Sequence, residues 1–114
     1  MSDRTQDPRA QALAQYLRER ATAFSLSADS TGEQHIARAG MALLDAAWLA
    51  EQLPGTDHRL AALTAAGRFE AMPGGSCHFV ETPRLRAVVQ RPLAGSPVSA
   101  EEIVDLLAAN AQER

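Results

Sequence analysis

The stretch Glu33 to Leu53, EQHIARAGMALLDAAWLAEQL, decides the fold of this chain. Read with the period of a helix, Ile36, Gly40, Leu43, Ala47 and Ala50 fall on one face, and Ala37, Met41, Leu44 and Trp48 fall on the adjacent one. Together the stripes are wider than the apolar seam of a surface helix. That width predicts a central helix over about 33–53, packed on two sides. Gly40 sits mid-segment, where glycine costs about 1 kcal/mol relative to alanine, and a close helix crossing would account for it. Ser30 and Glu33 have the spacing of a capping box at the upstream end, and Pro54-Gly55 closes the downstream end.

Towards the N-terminus, Asp7-Pro8 reads as an N-cap followed by a first-turn proline. Ala10, Leu13, Ala14, Leu17, Ala21 and Phe24 follow at helical spacing and predict an amphipathic helix over 8–24, with a polar connection over 25–31. Residues 1–6 are expected to form a disordered leader.

Towards the C-terminus, Asp57 caps a short helix carrying Leu60 and Leu63, with Gly67 as its left-handed terminator. Phe69 and Ala71 alternate with Arg68, Glu70 and Met72. Pro73-Gly74-Gly75-Ser76 is a turn, and Cys77, Phe79 and Glu81 alternate with His78, Val80 and Thr82, so a β-hairpin is expected over about 68–81. Residues 82–92 fit two patterns. Thr82-Pro83 is a cap-plus-first-turn pair with Leu85, Val88 and Val89 on one helical face, whereas the alternation and the two valines suit a strand. The cap mechanism favours a short helix. After a loop at 92–97, Ser99 and Glu102 form a capping box, Val98 staples onto Ile103, and a last helix runs over about 100–110, with 111–114 frayed. The expected fold is α+β and mostly α: four to five helices around the 33–53 helix, with one short hairpin, in a single domain over 7–110.

At 114 residues with 46% apolar content, much of it alanine, the chain can build one core without staples. Aromatics make up only 4%, so each is expected to be buried. The lone cysteine, Cys77, allows no internal disulfide. The net charge of −3 argues against bulk attraction to nucleic acid or anionic lipid. All eleven basic residues are arginine; with the many alanines, this reads as a GC-rich, bacterial-like coding bias. Neither a signal-peptide core nor a run of about 18 apolar residues is present, so a cytoplasmic address without membrane partners is expected.

No convergent catalytic set emerges. His35, His58, His78 and Cys77 are the soft or borderline metal ligands, but zinc wants four ligands in tetrahedral array. Cys77 and His78 are adjacent and fall on opposite faces of a strand, so no metal site and no cofactor are assigned. Cys77 is expected to be a buried, inert thiol. Ser76, in Gly74-Gly75-Ser76, lacks the nucleophile-elbow pattern, and no glycine cluster has a phosphate-loop lysine. Glu101 and Glu102 complement a helix dipole. Asp45, beside the apolar faces, is expected to be partly buried against Arg38 or Arg59.

Three features point to binding instead. Leu49 to Leu53, the Pro-Gly turn, the helix with Leu60 and Leu63, then Ala66-Gly67-Arg68-Phe69 and a hairpin resemble a winged helix-turn-helix. The resemblance implies a DNA-binding regulator with the hairpin as wing. Against it, the would-be recognition helix is short, its cations are His58 and Arg59, and the tip Pro73 to Ser76 has no cation for phosphate. Arg84, Arg86 and Arg91, with Arg68 adjacent across the hairpin, form a basic run suited to an acidic partner or phosphate, or simply a solvated face. Finally, Met41, Leu44 and Trp48 offer a surplus apolar face, with Trp48 and Met41 as anchors for a protein partner or a homodimer. The leading expectation is a small non-catalytic interaction or regulatory domain acting through a helical protein-binding surface. A winged-helix DNA-binding regulator comes second, and a small enzyme or metal protein using His35, Asp45, His58 or His78 third.

Overall fold

The computed structural model describes residues 7–31, 34–94 and 98–112. The chain runs through α1 (Pro8–Thr31), α2 (Gln34–Glu51), α3 (His58–Ala65), β1 (Phe69–Ala71), β2 (Cys77–Phe79), α4 (Pro83–Val89) and α5 (Ala100–Ala109), with single 3₁₀ turns at Pro73–Gly75 and Arg91–Ala94. It is the expected mostly helical α+β fold with one antiparallel hairpin. The leader at 1–6 and the end of the tail at 113–114 lie outside the described residues. Ala111, placed by sequence in the frayed tail, is buried, and its N–H donates to Ala108 O at 3.3 Å.

Helix starts follow side-chain chemistry. The Asp7 carboxylate accepts from Arg9 N at 2.8 Å, Asp57 from Arg59 N at 2.8 Å, Thr82 Oγ1 from Leu85 N at 3.2 Å, and Ser99 Oγ from Glu102 N at 3.1 Å. Each satisfies a donor the first helical turn leaves unpaired. The Thr82 cap settles residues 83–89 as a helix, with Leu85, Val88 and Val89 turned inward. Helix α3 ends as expected at Gly67, whose φ of +79° is left-handed. Gly67 N donates to Thr64 O and Arg68 N to Leu63 O, a pairing that satisfies the last carbonyls.

Helix α1 runs seven residues beyond the expected end at Phe24, through the segment read as a connection. Serine and aspartate cost only tenths of a kcal/mol each inside a helix, and from Ser25 to Thr31 there is neither glycine nor proline to stop one already propagating. Ser30 therefore belongs to the backbone of α1, while Glu33, its expected partner in the capping box, lies outside the described residues.

The hairpin pairs Phe69 with Phe79, Glu70 with His78, and Ala71 with Cys77. It extends at both ends through Val80 N to Arg68 O at 2.8 Å and Met72 N to Ser76 O at 2.9 Å. Its inner face carries Phe79, buried against Tyr16 of α1 with ring centroids 4.6 Å apart, and Phe69, edge-on to Phe79. Three-residue strands hold only because this face packs on α1.

The core joins Leu13 and Leu17 of α1, Leu43 of α2, Leu60 and Leu63 of α3, Leu85 and Val89 of α4, and Ile103, Val104 and Leu107 of α5. Helix α2 packs along α1 and against α5 and the 3₁₀ turn at Arg91–Ala94. Its buried residues, Ala39, Gly40, Leu43, Ala46, Ala47 and Ala50, span one arc of about 120° at 100° per residue. That is one ordinary amphipathic face, so the expectation of packing on two sides is corrected: the second stripe points to solvent.

Candidate protein-binding face

The second stripe is the most unusual surface of the molecule. Trp48 is 66% exposed, Met41 65% and Leu44 47%. Their spacing of three and four residues puts them side by side on α2, and Ala37, one turn earlier, is exposed on the same line. Single exposed apolar residues are common, but a contiguous row with the sole tryptophan at its end is a patch. The aromatic scarcity that suggested universal burial fails here: Trp48 lies outside, while Tyr16, Phe24 and Phe79 are buried.

Arg38 and Asp45 border this row. Both are exposed, and among the described residues neither has an ion-pair partner. The expected burial of Asp45 against Arg38 or Arg59 is thus corrected. Seven residues separate Arg38 from Asp45, so they stand about 10 Å apart along the axis on one margin, too far to meet.

Arg59 is engaged elsewhere. It is only 9% exposed, and its guanidinium donates at 3.0 Å to Asp57 Oδ1 and Oδ2, Glu101 Oε1 and Asp105 Oδ1. These charge-assisted bonds, led by the bidentate one to Asp57, raise the Arg59 pKa, and the same contact holds the Asp57 carboxyl below its ordinary value. Arg59 thereby ties α3 to α5. Arg9 repeats the arrangement at the start of α1. It clasps Asp7 at 2.9 Å, donates to Gly55 O at 2.9 Å and to Thr64 Oγ1 at 2.9 Å, and holds the Asp7 carboxyl below its ordinary value. Sequence reading found both caps but missed both clasps, although the signal, Asp-x-Arg at each start, is in plain view: Asp7-Pro8-Arg9 and Asp57-His58-Arg59.

The basic run is only partly assembled. Arg84, Arg86 and Arg91 are exposed on and after α4, but Arg86 Nε donates to Glu81 Oε1 at 3.1 Å. Arg68 is half-buried and folds back onto Ala66 O. Glu81 also accepts the Tyr16 hydroxyl; burial first, and this bond second, push the Tyr16 pKa up. Tyr16, Glu81 and Arg86 therefore form a chain joining α1, the end of the hairpin and α4.

Among the described residues, the expected chemistry-bearing side chains do not converge. His58 and His78 are exposed, and the His35 side chain lies outside the described residues. Cys77 is half-buried, not fully buried as expected, and faces a polar groove of about 460 Å³ between α1, Glu51 and the hairpin tip. Gln11, Gln15 and the Arg18–Glu51 ion pair, 2.6 Å long, line that groove, and among the described residues no imidazole does. Among the described residues, no group of three His, Cys, Asp or Glu side chains could hold a metal ion, and no helix is long and apolar enough to cross a membrane. No family model, curated protein or solved structure matches this chain.

Proposed function

We propose that this protein is a small interaction or regulatory domain that works without catalysis, by docking a protein partner on the outer face of α2. The observation that carries this reading is the exposed row Met41, Leu44 and Trp48, set on a domain whose other fully apolar large side chains mostly lie inside. Leaving a tryptophan and its apolar neighbours in water forgoes about 25 cal/mol for each Å² a partner would cover. Aromatic residues and methionine are the types enriched where partners bind. Leu43 and Ala47, on the adjoining arc, fix the helix to the core, so the row is presented on a rigid rod.

The test is affinity capture from native lysate with the wild-type chain and with Trp48→Ser and Leu44→Ser. Partners identified by mass spectrometry should be lost with both variants while far-UV circular dichroism stays unchanged. Capture indifferent to both substitutions overturns the reading.

DNA binding is the second reading. In its favour stand the order α2, α3, hairpin and the exposed Arg84 and Arg91, which have no ion-pair partner among the described residues. Weighing against it, Arg59 is committed to three carboxylates and the tip Pro73–Gly75 carries no cation. Retardation of duplex fragments at low salt, lost with Arg84→Glu, supports it; no retardation at any salt removes it.

A further inference from the structure

We infer that the occupant of the α2 face is a second copy of this chain, seated antiparallel across a two-fold axis so that Arg38 of each copy meets Asp45 of the other. The inference rests on the reading of that face as a docking surface and adds what fills it.

Charge and shape on the face carry it. At 100° per residue, Met41, Leu44 and Trp48 lie within about 60° of one another, and Arg38 and Asp45 lie within about 20° of each other along one margin of that row. A two-fold axis perpendicular to a pair of antiparallel helices brings like margins together and reverses their order. The margin Arg38…Asp45 then faces Asp45…Arg38. With the axis at the level between Ala42 and Leu43, Met41 stands opposite Leu44 of the second copy and Trp48 opposite Ala37, the bulkiest residue of the row over the smallest. In that register Arg38 and the second copy's Asp45 are offset by two residues, about 3 Å along the axis, well within reach of an arginine side chain.

A parallel pairing puts this margin against the opposite one. Among the described residues, that margin carries Gly40 and Ala47 at the levels of Arg38 and Asp45, both buried and uncharged. Among the described residues the two charges find partners only in the antiparallel arrangement, which is self-complementary as a two-fold interface must be. Among the described residues neither charge has an ion-pair partner, so pairing them across the axis displaces no ion pair among those residues.

The experiment is sedimentation equilibrium and light scattering on the full chain across a wide concentration range, with Trp48 emission followed in parallel. The wild type should pass from monomer to dimer, with Trp48 emission moving to shorter wavelength as the indole leaves water. Arg38→Glu alone and Asp45→Arg alone each set like charges opposite one another twice per dimer and should weaken the dimer about tenfold or more. The double variant R38E/D45R restores both pairs with reversed polarity and should return to within about threefold of wild type.

A monomer at every concentration, singles that dimerise like wild type, or a double variant no better than the singles overturns the inference. Its failure is separable from failure of the docking reading: a monomeric wild type whose lysate partners still depend on Trp48 and Leu44 refutes self-pairing alone. Circular dichroism of each variant confirms that the exposed substitutions leave the fold intact.

Discussion

Replacing Arg59 with methionine tests how α3 is held to α5. The substitution keeps an unbranched stem in the space and removes the charge. What remains is Asp57, whose side chain is only 12% exposed, with its counter-ion gone. Breaking a buried pair by removing one partner costs roughly 3–5 kcal/mol, because the other charge stays buried alone. Glu101 and Asp105 add little, since their side chains are 66% and 58% exposed and such contacts are worth at most about 1 kcal/mol each. Asp57 also keeps its bond from the backbone of residue 59, which places the expected loss at the lower end, about 3 kcal/mol. For a chain of 114 residues, where 1 kcal/mol moves the midpoint by about 4 °C, that is about 12 °C. Urea and thermal unfolding should be followed by far-UV circular dichroism, because in the monomer Trp48 sits in water already and reports unfolding weakly. Adding Asp57→Asn to Arg59→Met removes the stranded charge and keeps a good N-cap, so the double variant should regain about 2 kcal/mol. A loss below about 1 kcal/mol for Arg59→Met, or a double variant that simply adds two losses, would refute the account of a buried clasp.

Other outcomes follow from neighbouring features. Gly55→Ala puts a Cβ 2.7 Å from Asp7 Oδ2, an oxygen held by Arg9, so the substitution should displace the α1 cap and lower unfolding free energy by about 1 kcal/mol in urea titrations. Tyr16→Phe removes the hydroxyl donor to Glu81 and should cost about 1.5 kcal/mol by the same assay, with Glu81→Gln recovering part of it in combination. Asp7 and Asp57 have carboxyl pKa values below the ordinary 3.8, so both bind protons more weakly folded than unfolded. Their stabilisation is therefore complete above about pH 4 and lost as pH falls through the folded-state values; urea midpoints should drop below about pH 4, less steeply in Asp57→Asn.

Local chemistry was the legible part of the fold. Asp57, Thr82 and Ser99 cap the helices they were read to cap, because capping is decided within three residues. The hairpin was legible for the same reason: Gly74 and Gly75 supply two successive positive-φ positions, and the alternation around them puts Phe69 and Phe79 on one face. What escaped depends on distance or on competition. The run from Ser25 to Thr31 reads as a linker because it is rich in small and polar residues, yet polarity does not end a helix; glycine and proline do. Periodicity identified Met41, Leu44 and Trp48 as one face, but whether another element covers a face is set by the length and direction of everything else in the chain. Arg59 meets Glu101 and Asp105 across 42 and 46 residues of sequence, a meeting no local pattern records.

The paired Asp-x-Arg starts have a consequence for how this sequence is free to change. A cation on the second residue of a helix opposes the dipole, and it is tolerated at Arg9 and Arg59 because the capping carboxylate holds it. Loss of the aspartate alone strands a positive charge at the positive end of a helix; loss of the arginine alone strands the carboxylate and cuts the tie to Gly55 or to α5. Lysine, lacking the planar fork, replaces neither arginine. Each dyad is thus expected to change as a unit. The route to another solution, such as serine at the cap with glutamate two residues on, passes through a weakened single-substitution intermediate. Descendants of this sequence are therefore expected to keep both letters of each dyad or to exchange both together.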